Sequence, residues 1–261
     1  VTELLYTAII KAAKTGFRVL GQQIDITGLE HLPRTGPALL AVNHIGYVDF
    51  IYGGVAPERI GRRVRFMAKR ELFDHKITGP VMRGCRHIMV DRAEGDSSLA
   101  AALQFLDEGE LVGIFPEATI SRAMEIKELK TGAVRIAATA GVPLIPVVLW
   151  GTQRIMTKDH DRDLSRGTAI SIRVGEPMAV TGADSRAETE VLRAVMQGLL
   201  AESIAAYPQH EPGAWWLPAA HGGTAPTLEQ AARLDAEERR RRAERTAQPL
   251  PQPDRSIGSG D

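Results

Sequence analysis

His44 and Asp49 stand five residues apart in the segment ALLAVNHIGYVDF. On a regular helix that spacing turns two side chains about 140° away from each other, so one continuous helix would keep them apart. They meet if His44 ends a strand and Asp49 lies in the first turn of the helix that follows. The residues read that way: an apolar run, a short Ile-Gly bend, then DFIYGGV. A carboxylate on one imidazole nitrogen fixes the tautomer and leaves the other nitrogen as a base. The competing reading is a capping aspartate beside an unrelated histidine, and these residues alone leave the two even.

A second segment, LVGIFPEATISR, runs from Leu111 to Arg122. Glu117 falls at the C-terminal edge of an apolar strand, where ligands bind in open α/β sheets. Thr119, Ser121 and Arg122 follow within five residues. Hydroxyls, backbone amides and a guanidinium suit a phosphate or another oxyanion. The alternative is a polar turn capped by Thr119, with Arg122 in water. Elsewhere the chemistry reads as structural. Cys85, the single cysteine, precedes an apolar strand and is not expected to be a nucleophile. His87 reads as a satisfied core or rim residue, Asp91 as a turn residue, and His160 and Arg135 as solvated. The chain has no G-x-G-x-x-G, Walker A or G-x-S-x-G segment and no paired cysteines.

The elements that must position these residues alternate. QIDI, ALLAVN, VRFMAK, RHIMV, LVGIF, PLIPVVL and AISIRV read as strands, with helical patterns between them. DSSLAAALQFLDEG is the clearest helix, with Asp96 or Ser97 as N-cap and Gly109 as its end; another is expected from about Glu128 to Ala140, stopped by Gly141. Near-continuous apolar strands separated by helices predict an α/β fold: a mixed, mostly parallel central sheet of about seven strands flanked by helices. A helix around 186–207 closes this domain, which spans 22–207.

Ahead of it, residues 1–21 form an amphipathic helix with Glu3, Thr7, Lys11, Lys14 and Arg18 on one face and Leu5, Ile9 and Leu20 opposite. It either packs on the domain or lies in a membrane interface. Residues 208–245 hold a Pro-rich stretch with Trp215 and Trp216, expected to pack back on the body, and then a charged helix from about Thr227. Residues 246–261 are expected to be disordered.

Hydrophobic residues make up 44% and charged residues 25%, a balance that excludes wholesale disorder and a polytopic membrane protein. Lys+Arg and Asp+Glu both number 32, so nucleic acid is not an expected partner. No apolar run reaches the length of a membrane span and no secretory signal is evident, which leads to an expectation of peripheral attachment on the cytoplasmic side of the cell membrane.

Taken together, four ordered blocks resemble the glycerolipid acyltransferases typified by 1-acylglycerol-3-phosphate acyltransferase. They are N-H-x-x-x-x-D at Asn43, His44 and Asp49; a G-x-I-x-x-x-R-like block in GCRHIMVDR, with Arg92; FPEATIS, with Glu117, Thr119 and Ser121; and VPLIPVV. FMAKRELF and KTGAVRIA match linking segments and bring in Lys69 and Lys130. The resemblance covers roughly 22–180. It implies acyl transfer from acyl-CoA or acyl-carrier protein to a lysophospholipid at a membrane surface, with no cofactor and no metal. It makes His44 and Asp49 catalytic and places Asn43, Lys69, Arg92, Glu117, Thr119, Ser121, Arg122 and Lys130 around the substrates. Two positions depart from the family: its glycine is Ala118 and its phosphate-holding arginine is Ile120. Arg122, helped by Lys69 and Arg92, is the expected substitute; otherwise the acceptor is a different lysolipid or a glycolipid. A metal-dependent phosphohydrolase using His44, Asp49 and Asp91, or a non-enzymatic lipid-binding protein, are the rival readings.

Overall fold

The computed structural model describes residues 2–91 and 95–247. Seven strands form one sheet: β1 (Gln23–Thr27), β2 (Ala38–Val42), β3 (Val64–Lys69), β4 (Ile88–Val90), β5 (Leu111–Ile114), β6 (Leu144–Trp150) and β7 (Ala169–Val174). Their order is β1-β7-β6-β2-β5-β3-β4. β6 and β7 pair antiparallel and every other pairing is parallel. The mixed, mostly parallel sheet expected from the sequence is therefore present. Its five neighbouring strands β6, β2, β5, β3 and β4 end at one common edge. His44, Thr152, Glu117, Lys69 and Asp91 all lie at or just past the ends of these strands.

Both faces of the sheet are covered, which is why its central strands read as unbroken apolar runs. Leu39 and Ala41 point to one core with Val112, Leu144 and Val148. Ala38, Leu40 and Val42 alternate to the other with Phe66, Leu111, Ile145 and Val147. The first core packs under α6 (Gly95–Asp107), α7 (Gly132–Ala140) and α8 (Ser185–Ala205). The second lies under α2 (Asp49–Gly53) and α3 (Val55–Arg59). Two short helices, α4 (Arg70–Asp74) and α5 (Thr78–Gly84), connect β3 to β4.

Local signals account for several ends. Asp184 caps α8 by accepting from the backbone of Arg186 and Ala187, and Gly141 stops α7 in the left-handed region at φ 64°. Two expected starts shift. The helix expected from Asp96 or Ser97 already runs at Gly95, and α7 begins at Gly132 rather than near Glu128. Glu128 to Lys130 stay outside the helix, and the Lys130 backbone N–H donates to the Pro116 carbonyl, tying that stretch to the loop after β5.

The first helix, α1 (Thr2–Val19), is continuous. Tyr6 is buried with its hydroxyl donating to the Val64 carbonyl, Leu5 packs against Gly84, and Lys14 pairs with Glu58 at 2.8 Å. Leu4 and Val19 remain exposed. Beyond α8 the chain returns to the body. Trp216 is buried against Trp150 and Tyr207 at ring distances of 6.2 and 5.8 Å. The charged helix α9 (Leu228–Ala247) crosses the expected boundary at 245, and residues 248–261 lie outside the described residues.

Candidate active site

His44 leaves the end of β2 and Asp49 opens α2, the strand-turn-helix arrangement their spacing requires. Asp49 is fully buried and organises the turn. Its Oδ2 accepts from His44 Nδ1 at 2.9 Å and from the backbone N–H groups of Ile45 and Gly46 at 2.7 and 2.8 Å. Its Oδ1 accepts from the Thr152 hydroxyl at 2.6 Å. Gly46 permits this packing: a Cβ there would lie 3.0 Å from the Met156 carbonyl oxygen and 3.1 Å from that of Thr152. The hydrogen-bond network assigns the imidazole proton to Nδ1, which leaves Nε2 to accept one. Asp49 is the first residue of α2 and makes no side-chain cap bond there, the N-cap being Val48; its carboxylate instead orients His44 and holds the turn ahead of the helix.

The imidazole is 22% exposed and stacks on Phe115 at 4.4 Å, and Phe115 stacks on Phe66 at 5.5 Å. Beneath it the backbone is pinned. Glu117 accepts the His44 N–H at 2.8 Å and the Lys127 N–H at 3.4 Å, and the Ser121 N–H donates to the His44 carbonyl at 2.7 Å. Asn43 bonds both ends of its amide to the Leu149 backbone, extending the β2–β6 contact past the ladder. Burial pushes the Glu117 carboxyl up to about 7, against the opposing pull of those amides and the Lys127 ammonium. Burial also holds the Lys127 ammonium below its ordinary value, partly offset by Glu117 and Asp235.

The residues expected around the substrates fall in different surroundings. Asn43, Glu117 and Ser121 are 0%, 3% and 1% exposed, with their polar atoms engaged by the protein. They hold the His44 turn and the loop beside it through bonds within the protein. Thr119 accepts from the Lys127 ammonium, and Lys130 is exposed. Lys69 ends β3 at the same edge, and Arg92 lies outside the described residues. Ile120 is buried and supplies no cation.

Arg122 is not an open cation. Its side chain, 8% exposed, is held by Asp159, Asp235 and Glu238, which gather it with Lys127 and Lys158. Burial works against its charge, but the carboxylates more than offset this and raise its proton affinity. Thr152, Lys127 and Lys158 were not singled out from the sequence, whereas the two carboxylates of α9 fall in the charged run of the helix expected from about Thr227.

The remaining candidates are structural. Cys85 is buried and burial pushes its thiol up. His87 accepts the Phe66 N–H at 3.0 Å, and burial lowers its imidazole to about 4. Asp91 pairs with Arg70 at 2.6 Å, and His160 stacks on Trp215 at 3.7 Å. Among the described residues no group of three or more His, Cys, Asp or Glu side chains is placed to share a metal ion.

An imidazole oriented by a buried carboxylate, at the carboxyl edge of an open α/β sheet, is an arrangement able to accept a proton from a molecule held at that edge. Comparison with known proteins narrows the class. The family model described as Acyltransferase matches residues 23–150. A 1-acyl-sn-glycerol-3-phosphate acyltransferase of Bacillus subtilis (strain 168) is 33% identical over 156 residues, 59% of this chain and 73% of that protein. A chloroplastic 1-acyl-sn-glycerol-3-phosphate acyltransferase of Arabidopsis thaliana is 30% identical over 166 residues, 62% of this chain but 45% of the relative. The crystal structure of the 1-acyl-sn-glycerophosphate (LPA) acyltransferase of Thermotoga maritima shares the fold, with a TM-score of 0.65 and 24% identity over 78% of this chain and 81% of that one. The chain belongs to the glycerolipid acyltransferase family and is an acyl-transferring enzyme.

Proposed function

We propose that this enzyme moves a fatty acyl group from a thioester, acyl-CoA or acyl-carrier protein, to the free hydroxyl of 1-acylglycerol 3-phosphate, giving phosphatidic acid. The observation that carries the reading is the 2.9 Å bond from His44 Nδ1 to the buried Asp49, which leaves Nε2 as the accepting nitrogen. Both relatives named above for sequence identity act on this acceptor by name, which supports the same choice here.

A lysolipid hydroxyl is a poor nucleophile at neutral pH. His44 Nε2 takes its proton as the oxygen attacks the thioester carbonyl. The tetrahedral intermediate collapses with loss of the thiolate, to which the imidazolium returns the proton. The new ester and a free thiol leave with His44 restored. No acyl-enzyme is needed, because holding both substrates at one edge lowers the barrier by approximation. An apolar groove lined by Ile9, Phe17, Phe50, Ile51 and Val55 begins on the helix that carries Asp49 and suits an acyl chain. Ile120, buried where the family carries its arginine, favours a second reading in which the acceptor is another lysolipid or a glycolipid. The enzyme works from the cytoplasmic face of the membrane as a peripheral protein; among the described residues no helix is long and apolar enough to cross one.

The deciding assay supplies labelled acyl-CoA or acyl-carrier protein against a panel of lysolipids. The His44→Ala variant should lose on the order of 10²–10⁴-fold in rate while remaining folded, the contribution of a positioned base. A folded His44→Ala protein with wild-type rates removes the mechanism. A panel in which only phosphate-free lysolipids are acylated selects the second reading.

A further inference from the structure

Arg122, Lys127 and Lys158 converge from two loops that bracket the catalytic turn. Ser121, next to Arg122, donates its N–H to the His44 carbonyl, and Lys127 donates its own to Glu117. On the other side Met156 accepts the Tyr47 N–H at 2.9 Å, and the Thr157 hydroxyl donates to the Ile45 carbonyl at 2.6 Å. The three cations are met by Asp159 and by two carboxylates of α9. Asp235 bonds to Arg122 and lies 3.3 Å from Lys158 and 3.6 Å from Lys127; Glu238 lies 3.0 Å from Arg122 and 2.9 Å from Lys158.

The helix that brings them lies beyond the family segment. Its inward stripe is Leu228, Ala231, Asp235 and Glu238, a 3-4-3 spacing that keeps one face. Only the first half of that stripe is apolar, so the second half is held by ion pairs. Partly exposed pairs contribute little on their own. A guanidinium as buried as Arg122, however, is costly to leave unpaired. This half of α9 can therefore leave readily only when another anion takes its place. Removing Asp235 and Glu238 leaves three cations facing Asp159 and the Glu117 carboxyl beside Lys127, an excess of two positive charges while Glu117 keeps its proton and of one when it is ionised. A phosphomonoester carries about −1.5 to −2 near neutral pH, and its oxygens accept several hydrogen bonds at once.

We propose that Asp235 and Glu238 are internal stand-ins for a phosphate. In the resting protein they fill the Arg122–Lys127–Lys158 cluster, and a phosphomonoester lipid binds there by displacing them. The displacement rests on the acceptor reading above and adds a step to it: the head group competes with the protein's own carboxylates before reaching His44.

The test is amide hydrogen exchange across α9 in the full-length protein, with turnover excluded by omitting the donor. Glycerol 3-phosphate and short-chain 1-acylglycerol 3-phosphate should raise exchange around 232–241 by roughly tenfold, whereas the matching monoacylglycerol should not. In the Asp235→Asn/Glu238→Gln variant exchange should be fast without ligand. Its KM for the phosphate-bearing acceptor should fall by roughly three- to tenfold, as expected when a competing occupant is removed, with the donor KM unaffected. Unchanged exchange in the wild-type protein at saturating phosphate ligand overturns the proposal, and so does a folded double variant whose acceptor KM is the same or higher. If 1-acylglycerol 3-phosphate is acylated but α9 does not respond, this inference alone fails. If α9 responds but that lipid is not acylated, the acceptor reading fails and the anion site stands.

Discussion

Ala118 stands where the family has glycine, and it adopts φ 60°, the left-handed region. A Cβ in that region crowds the following carbonyl, at a cost of roughly 1–2 kcal/mol, which glycine avoids at the expense of some chain entropy. Ala118→Gly should therefore raise stability by about 0.5–1 kcal/mol, read as a shift in the denaturant midpoint with an unchanged slope. A lower midpoint would show that the methyl group packs better than its backbone is strained. Glu117 makes a second residue-level prediction. With its carboxyl raised from 4.5 to about 7, the folded chain keeps a proton that the unfolded chain has released across that interval. Unfolding then becomes more favourable as pH rises: this contribution is full below pH 4.5 and gone above about 7. Subtracting the melting curve of Glu117→Gln from that of the wild type at each pH should isolate this slope. A difference that is flat from pH 4.5 to 7 would contradict it.

At the scale of elements, β3 and β5 hold the His44 ring through aromatic stacking. Gly113 leaves room on β5 for the Phe66 ring, since a Cβ there would lie 2.5 Å from it and 2.8 Å from Val64. Phe66 supports Phe115, and Phe115 supports His44. Gly113→Ala should cost about 1–3 kcal/mol by overpacking and lower the transfer rate more than the acceptor KM. Wild-type stability and rate would show that the rings tolerate a shift. The elements themselves were largely legible in the sequence. Seven apolar runs became seven strands because a sheet buried on both faces leaves little choice of residue. His44 and Asp49 were legible because they are neighbours in the chain. What could not be read were partners more than a hundred residues apart, such as Asp49 with Thr152 or Arg122 with Asp235. No periodicity encodes which loop meets which at a sheet edge. The start of α7 was also misplaced; Lys130, just ahead of it, makes a long-range backbone bond.

At the scale of the whole molecule, the open question is how a lipid reaches the sheet edge. α1 divides its residues between two tasks. Tyr6, Ile9 and Phe17 turn toward the body and Lys14 is tied to Glu58, while Leu4, Lys11, Arg18 and Val19 face outward. Two outward basic residues contribute about 1 kcal/mol each near an anionic surface, a weak and salt-sensitive attraction. Co-sedimentation with phosphatidylserine vesicles should weaken on replacing Leu4 and Val19 with serine, and further at high salt. Equal binding by that variant would move the membrane-facing surface elsewhere on the molecule.

The C-terminal wrap has an optical consequence. All three tryptophans sit at its seam: Trp150 on β6, Trp216 packed against it, and Trp215 stacked on His160. Trp150 is fully buried and its indole N–H has no hydrogen-bond partner, a non-polar setting for a chromophore. Intrinsic fluorescence of this enzyme therefore reports on the seating of residues 208–227 against β6 rather than on the His44 turn. A red shift that precedes the loss of helical circular dichroism in denaturant would mark that wrap coming away while the sheet persists.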